Sequence, residues 1–232
     1  MRDSMRSLGV SHVSALTLVG VLMMLVAGAV PAGAKPPEEL IAFKDDRAGQ
    51  SDIWTMRPDG SNRVRLTDDK TGDQIPAWSP NGKKIAWTRV GDGIWVMNAD
   101  GSGKRQITFT ASDTGATWSP DGSRIAFRSI RGGNFDIYVI NVDGTNEQRL
   151  TDNPSIDVSP DWSPDGTKIG FTSERSGTCA VYTMNPDGSN VQKLDPRLDA
   201  CGTPRLVAGR QPPHLLGQLL RQRRERPVRD GA

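Results

Sequence analysis

The sequence predicts an all-β chain, a β-propeller built of four-stranded antiparallel blades, incomplete, with about four blades present. Recurring anchors predict it. A Trp-Ser-Pro-(Asn/Asp)-Gly motif starts at Trp78, Trp118 and Trp162, spaced 40 and 44 residues. An Ile-(Ala/Gly)-(Phe/Trp) triplet starts at Ile41, Ile85, Ile125 and Ile169. An Asp-Gly-(Ser/Thr) turn recurs at Asp59, Asp100, Asp143 and Asp187. A Leu-Thr or Ile-Thr pair closes the unit at Leu66, Ile107 and Leu150, with Leu194-Asp195 in the fourth copy. Anchors in fixed order at a period of roughly 40–45 residues are the mark of propeller blades. A unit this short cannot bury both of its faces alone, so the units must stack.

Each unit reads as four short strands, a to d. In the unit that begins near Trp118, strand a is Ala116–Ser119, b is Arg124–Ser129, c is Asp136–Val142 and d is Glu147–Thr151. Ser119-Pro120-Asp121-Gly122 makes the a–b turn, because proline presets φ at the second position and glycine suits the fourth. Asp143-Gly144 makes the c–d hairpin. Strand c alternates: Ile137, Val139 and Asn141 face one way, Tyr138, Ile140 and Val142 the other. Apolar residues on both faces mean a sheet packed between two neighbours. The first copy holds strands b to d only, and three full copies follow.

The order of these anchors, Trp-Ser-Pro-Asp-Gly, Ile-Ala-Phe, Ile-Tyr-Val, Asp-Gly, Leu-Thr, resembles the WD-type repeat of the TolB-like β-propeller family. The resemblance covers residues 41–203. It implies a propeller that works by binding proteins in the cell envelope. The same repeat occurs in propeller domains attached to some peptidases and sugar lyases. The resemblance is not expected to extend to the N-terminal domain that precedes the propeller in that family.

The two ends differ from the body. The formal charge of +2 is unevenly spread. Residues 1–34 carry Arg2, Arg6 and Asp3, and residues 204–232 carry seven arginines against Glu225 and Asp230, which leaves the body mildly acidic. That balance argues against a nucleic-acid partner, since phosphate binding needs a basic folded surface. Residues 1–34 read as a signal peptide: arginines, an apolar run from about Val13 to Val30, then Ala32-Gly33-Ala34 with cleavage after Ala34. The expectation is a periplasmic or secreted protein, with no stable membrane span once the signal is removed. Residues 35–203 are the propeller blades. Past Pro204 the repeat demands Ala-Trp-Ser-Pro-Asp-Gly, and Arg205-Leu206-Val207-Ala208 stands there instead. A reading frame shifted by one base can restore the blade pattern, so residues 204–232 are expected to be a frame-shifted, non-native tail. An open array of blades would expose strand edges and so invite aggregation.

Candidates for chemistry are few. The only histidines are His12 and His214, both outside the blades, which leaves the body without a His-based triad or His-ligated metal. No nucleophile elbow or phosphate-cradling glycine loop occurs. The expectation is a non-enzyme with no cofactor, no catalytic residue and no metal site. Trp78, Trp118 and Trp162 recur in register and read as packing anchors between blades. Cys179 lies in a b–c loop and Cys201 in a d–a loop, which places both on one end, where export permits a disulfide between them. On that end the b–c and d–a loops vary between copies and are rich in aspartate, including Asp46, Asp69, Asp73, Asp92, Asp113 and Asp157. The opposite end repeats near-identical turns. Variable loops on a rigid scaffold carry binding, so this loop face is expected to dock a protein or peptide. The rival reading is the propeller part of a secreted peptidase or polysaccharide lyase lacking its catalytic segment.

Overall fold

A computed structural model of the chain describes residues 39–47 and 49–194. The signal segment, Cys201 and the tail from 204 onward lie outside the described residues. All regular structure within them is β. The first sheet holds β1 (Ile41–Asp45), β2 (Asp52–Met56) and β3 (Val64–Arg65). The second holds β4 (Asp73–Trp78), β5 (Lys84–Arg89), β6 (Gly93–Asn98) and β7 (Arg105–Gln106). The third holds β8 (Thr114–Trp118), β9 (Arg124–Ser129), β10 (Asp136–Asn141) and β11 (Gln148–Arg149). The fourth holds β12 (Asp157–Trp162), β13 (Ile169–Ser173), β14 (Ala180–Met184) and β15 (Gln192–Lys193). Each sheet is an antiparallel meander in chain order, so each is one blade: b, c and d in the first, a to d in the others. The a strands β4, β8 and β12 lie side by side, β4 against β8 and β8 against β12. The described residues thus form four blades of an all-β propeller arrangement.

The alternation expected for strand c decides how blades stack. On β10, Tyr138 and Ile140 enter one core with Ala86, Ile94 and Val96 of the second blade. Ile137 and Val139 enter another with Phe171, Ala180, Tyr182 and Met184 of the fourth. Burying both faces of one sheet in this way removes several large side chains from water, each burial stabilising by about 1.5–3 kcal/mol. Trp118 is buried in the core between the second and third blades, and its indole N–H donates to the Ala77 carbonyl at 3.0 Å. Trp162 sits in the next core, and Trp78 packs at the edge of the first.

The turns form as their residues dictate. Gly82, Gly122 and Gly166 donate to the carbonyls of Ser79, Ser119 and Ser163 in the a–b turns. The c–d connection is wider than a two-residue hairpin: Asn141 N–H reaches the Thr145 carbonyl and Gly144 N–H the Asn141 carbonyl. The Leu-Thr pairs also acquire a reason. The hydroxyls of Thr67, Thr108 and Thr151 accept from the N–H of Ile53, Ile94 and Ile137 at 2.9 Å, fastening strand d to strand c beyond the two-residue d ladder. Strand d is accordingly shorter than the expected Glu147–Thr151. Strand a starts earlier than Ala116, at Thr114, because a bulge interrupts it. Ile75, Gly115 and Ser159, each three residues before the tryptophan, all have positive φ at that bulge.

Candidate binding face

The b–c loops and the d–a loops meet on one end. Asp73 N–H donates to the Ser51 carbonyl at 2.7 Å, Val90 N–H to Gly72 at 2.8 Å, and Asp157 N–H to Phe135 at 2.7 Å. The Asn134 amide donates to the carbonyls of Asn153 and Ser155, and the Gln50 amide to that of Asp69. These bonds tie each loop to its neighbour and leave the end as a braced surface.

The sequence reading takes Asp73, Asp113 and Asp157 as parts of an acidic rim, and the structure corrects this. All three are fully buried where strand a begins, and each is paired with an arginine at or just past the end of strand b. Arg89 Nε lies 2.9 Å from Asp73, Arg175 Nη2 lies 2.7 Å from Asp157, and Arg131 pairs with Asp113. Each guanidinium also covers aromatic rings of its own blade. Arg89 stands 4.2 Å from the Trp95 centroid and 5.8 Å from Trp87. Arg131 stands 4.7 Å from Tyr138 and 5.6 Å from Phe127, and Arg175 stands 5.0 Å from Tyr182 and 5.1 Å from Phe171. One cation thus clamps strands a, b and c together. A buried carboxylate is tolerable only when paired in this way, and the flat guanidinium both pairs and stacks.

Asp69 is half-exposed and shares Arg89. Asp46 is exposed and Asp92 partly so, which leaves these two on the open rim. Asp68, Asp152 and Glu174, exposed in neighbouring loops, join them. Arg47 occupies the arginine position of the first blade and pairs with Asp45, the last residue of β1, whose carboxyl its hydrogen bonds hold down at about 2. The reading missed the clamping arginines. Their signal was the Arg-x-Gly step after strand b, at Arg47, Arg131 and Arg175. A second pairing joins strands c and d in alternate blades: Arg65 to Asp52 and Arg149 to Asp136, both at 2.7 Å. Burial pushes both of these carboxyls upward in pKa, against the pull of their arginines.

Apolar side chains share this end. Phe109 is 80% exposed, and Ile75, Val90, Ile130 and Ile156 are exposed as well. Phe109 stands where the equivalent loops have Asp68 and Asp152, directly after the closing threonine. Ile75 holds φ +52° at a bulge where the third blade has glycine. A β-branched residue in that region is a rare, strained choice. Cys179 lies in the b–c loop of the fourth blade, just before β14. Among the described residues, no group of three or more His, Cys, Asp or Glu could hold a metal ion.

Comparison with known proteins agrees with this architecture. The TolB beta propeller domain model matches residues 112–208. The Tol-Pal system protein TolB of Anaeromyxobacter dehalogenans is 38% identical over 115 residues, which cover 48% of this chain and 26% of that protein. The chain therefore spans about a quarter of the curated relatives it matches. The putative TolB from Agrobacterium tumefaciens is 29% identical with a TM-score of 0.62, over 67% of this chain and 61% of that one. An oligogalacturonate lyase from Vibrio parahaemolyticus, 14% identical with a TM-score of 0.56 over 67% of this chain and 49% of that one, shares the fold alone. By its repeats and blade topology the chain resembles TolB-like β-propellers, and residues 112–208 match the TolB beta propeller domain itself.

Proposed function

We propose that this protein is an exported, non-catalytic propeller that docks a protein or peptide through the end formed by its b–c and d–a loops. The observation that carries the reading is the contrast between the two ends. On the turn end, Asp59, Asp100, Asp143 and Asp187 spend their carboxylates on N–H groups of their own turns. On the loop end, loops of differing sequence are braced to one another and present exposed apolar side chains. Rigid, variable loops with exposed apolar groups suit recognition. Export follows from residues 1–34 acting as a signal cleaved after Ala34. A Cys179–Cys201 disulfide fits that compartment, and an intact-mass shift of two hydrogens on reduction would support it. The likeness to a lyase is one of fold and transfers no activity.

Site-specific photocrosslinking tests the docking face. A photoreactive residue at Phe109 or Ile130, in the exported protein, is expected to capture a defined partner. The same residue at Asn81 or Asp121 on the turn end is expected to capture none. Equal capture from both ends would overturn the assignment of the face.

A further inference from the structure

We infer that the segment docked on the loop end is a basic one: an extended peptide or exposed loop whose apolar side chain is flanked by lysine or arginine. This rests on the loop end being the docking face, and it adds the chemistry of the partner.

Two departures from the repeat carry the apolar half. The d–a loops of the first and third blades place Asp68 and Asp152 after the closing threonine, and the second places Phe109, 80% exposed. No turn or core needs a phenylalanine there. Ile75 keeps a strained backbone on an exposed inner-strand position, whereas Gly115 adopts the same conformation freely. Both substitutions cost the folded chain something, and both put apolar surface on the same end. Val90 and Ile130 extend that surface through the b–c loops on either side of the Phe109 loop.

Charge carries the other half. Asp46, Asp68, Asp92, Asp152 and Glu174 lie in these loops, exposed or partly so, and no ion pair holds any of them among the described residues. The cations of the same end are mostly committed: Arg47, Arg89, Arg131 and Arg175 are each paired with an aspartate. Lys44 and Lys70 stand exposed and Arg128 half-buried without such an aspartate among the described residues, which leaves the carboxylates in excess. The excess of free carboxylates sets a negative potential around the apolar side chains. Such a field draws a cationic segment and repels phosphate-bearing partners, which disfavours nucleic acid and anionic membrane.

Fluorescence anisotropy with four labelled twelve-residue peptides tests this on the full chain. One has a central Phe-Leu pair among lysines, one has glutamates for the lysines, one has serines for the Phe-Leu pair, and one is a neutral apolar control. The lysine peptide should bind tightest, weaken as salt rises, and lose about tenfold in affinity against Phe109→Ser. Asp92→Asn with Asp152→Asn should weaken the lysine peptide and leave the neutral one unchanged. Phe109, Asp92 and Asp152 are outside the core, and thermal melting confirms that the variants fold. If the glutamate peptide binds as well as the lysine one and still depends on Phe109, the basic class falls while the docking face stands. If no peptide responds to Phe109→Ser, both fall. Preferential binding to phosphatidylglycerol vesicles or to a DNA oligonucleotide would also overturn it.

Discussion

Ile75 shows how a single residue can depart from its local rule. Its φ of +52° is one that glycine adopts at no steric cost and that isoleucine adopts only under constraint. Ile75→Gly should therefore raise stability by about 1 kcal/mol, the relief of strain exceeding the added entropy cost of glycine. Denaturant unfolding measures it, and a destabilised variant would mean that the isoleucine side chain contributes packing instead. Titration belongs to this scale too. Hydrogen bonds from neighbouring Ser or Thr hydroxyls and N–H groups lower the carboxyls of Asp59, Asp100, Asp121, Asp143 and Asp187, and hold Asp165 at about 2. A carboxyl that titrates lower when folded stabilises fully above its unfolded value, and loses that effect as pH falls through the folded one. Asp52 and Asp136, raised by burial, act in the opposite sense: their contribution is present at low pH and fades as pH rises. The lowered carboxyls outnumber the raised ones, so the melting temperature should fall between about pH 4 and 2. A melting temperature that holds or rises across that window would contradict the turn assignments.

At the scale of the element, the blade is held by its arginine. Arg131 pairs with a fully buried Asp113 and covers Phe127 and Tyr138. Arg131→Met keeps the stem but strands the carboxylate, and should cost roughly 3 kcal/mol. Arg131→Met combined with Asp113→Leu should recover most of that loss, because no buried charge is then left alone. Thermal or denaturant melts of the two variants decide it, and a double variant no better than the single would show that stacking rather than pairing dominates. These clamps mark where the sequence stopped being legible. The turns and strands could be read because proline, Asp-Gly and alternation act locally. Asp73, Asp113 and Asp157 could not be separated from the rim aspartates Asp46 and Asp92, because their burial depends on an arginine 16 to 18 residues away. The start of strand a was misplaced for a similar reason. Gly115 looks like loop, yet it is the bulge that lets Thr114 join the ladder.

Over the whole molecule, the repeat legible in the sequence is the repeat that stacks. Trp118 and Trp162 carry one blade onto the one before it, and β10 feeds the cores on both of its sides. The identity of the partner proposed for the loop end is not legible in the sequence, since no motif encodes it. The uneven distribution of free carboxylates and exposed apolar groups emerges only once the loops are gathered on one end. The central physical claim is that successive blades stand side by side with their a strands against one another. Thr117 and Asp161 are separated by 44 residues, and their side-chain oxygens are 3.4 Å apart. Thr117→Cys with Asp161→Cys, in a Cys179→Ser, Cys201→Ser background, offers the most direct measurement. A short thiol-specific bridging reagent should link the two cysteines within one chain, seen as a single intact-mass adduct and a linked peptide pair. Two separately capped thiols, or links only between chains, would contradict the stacked arrangement.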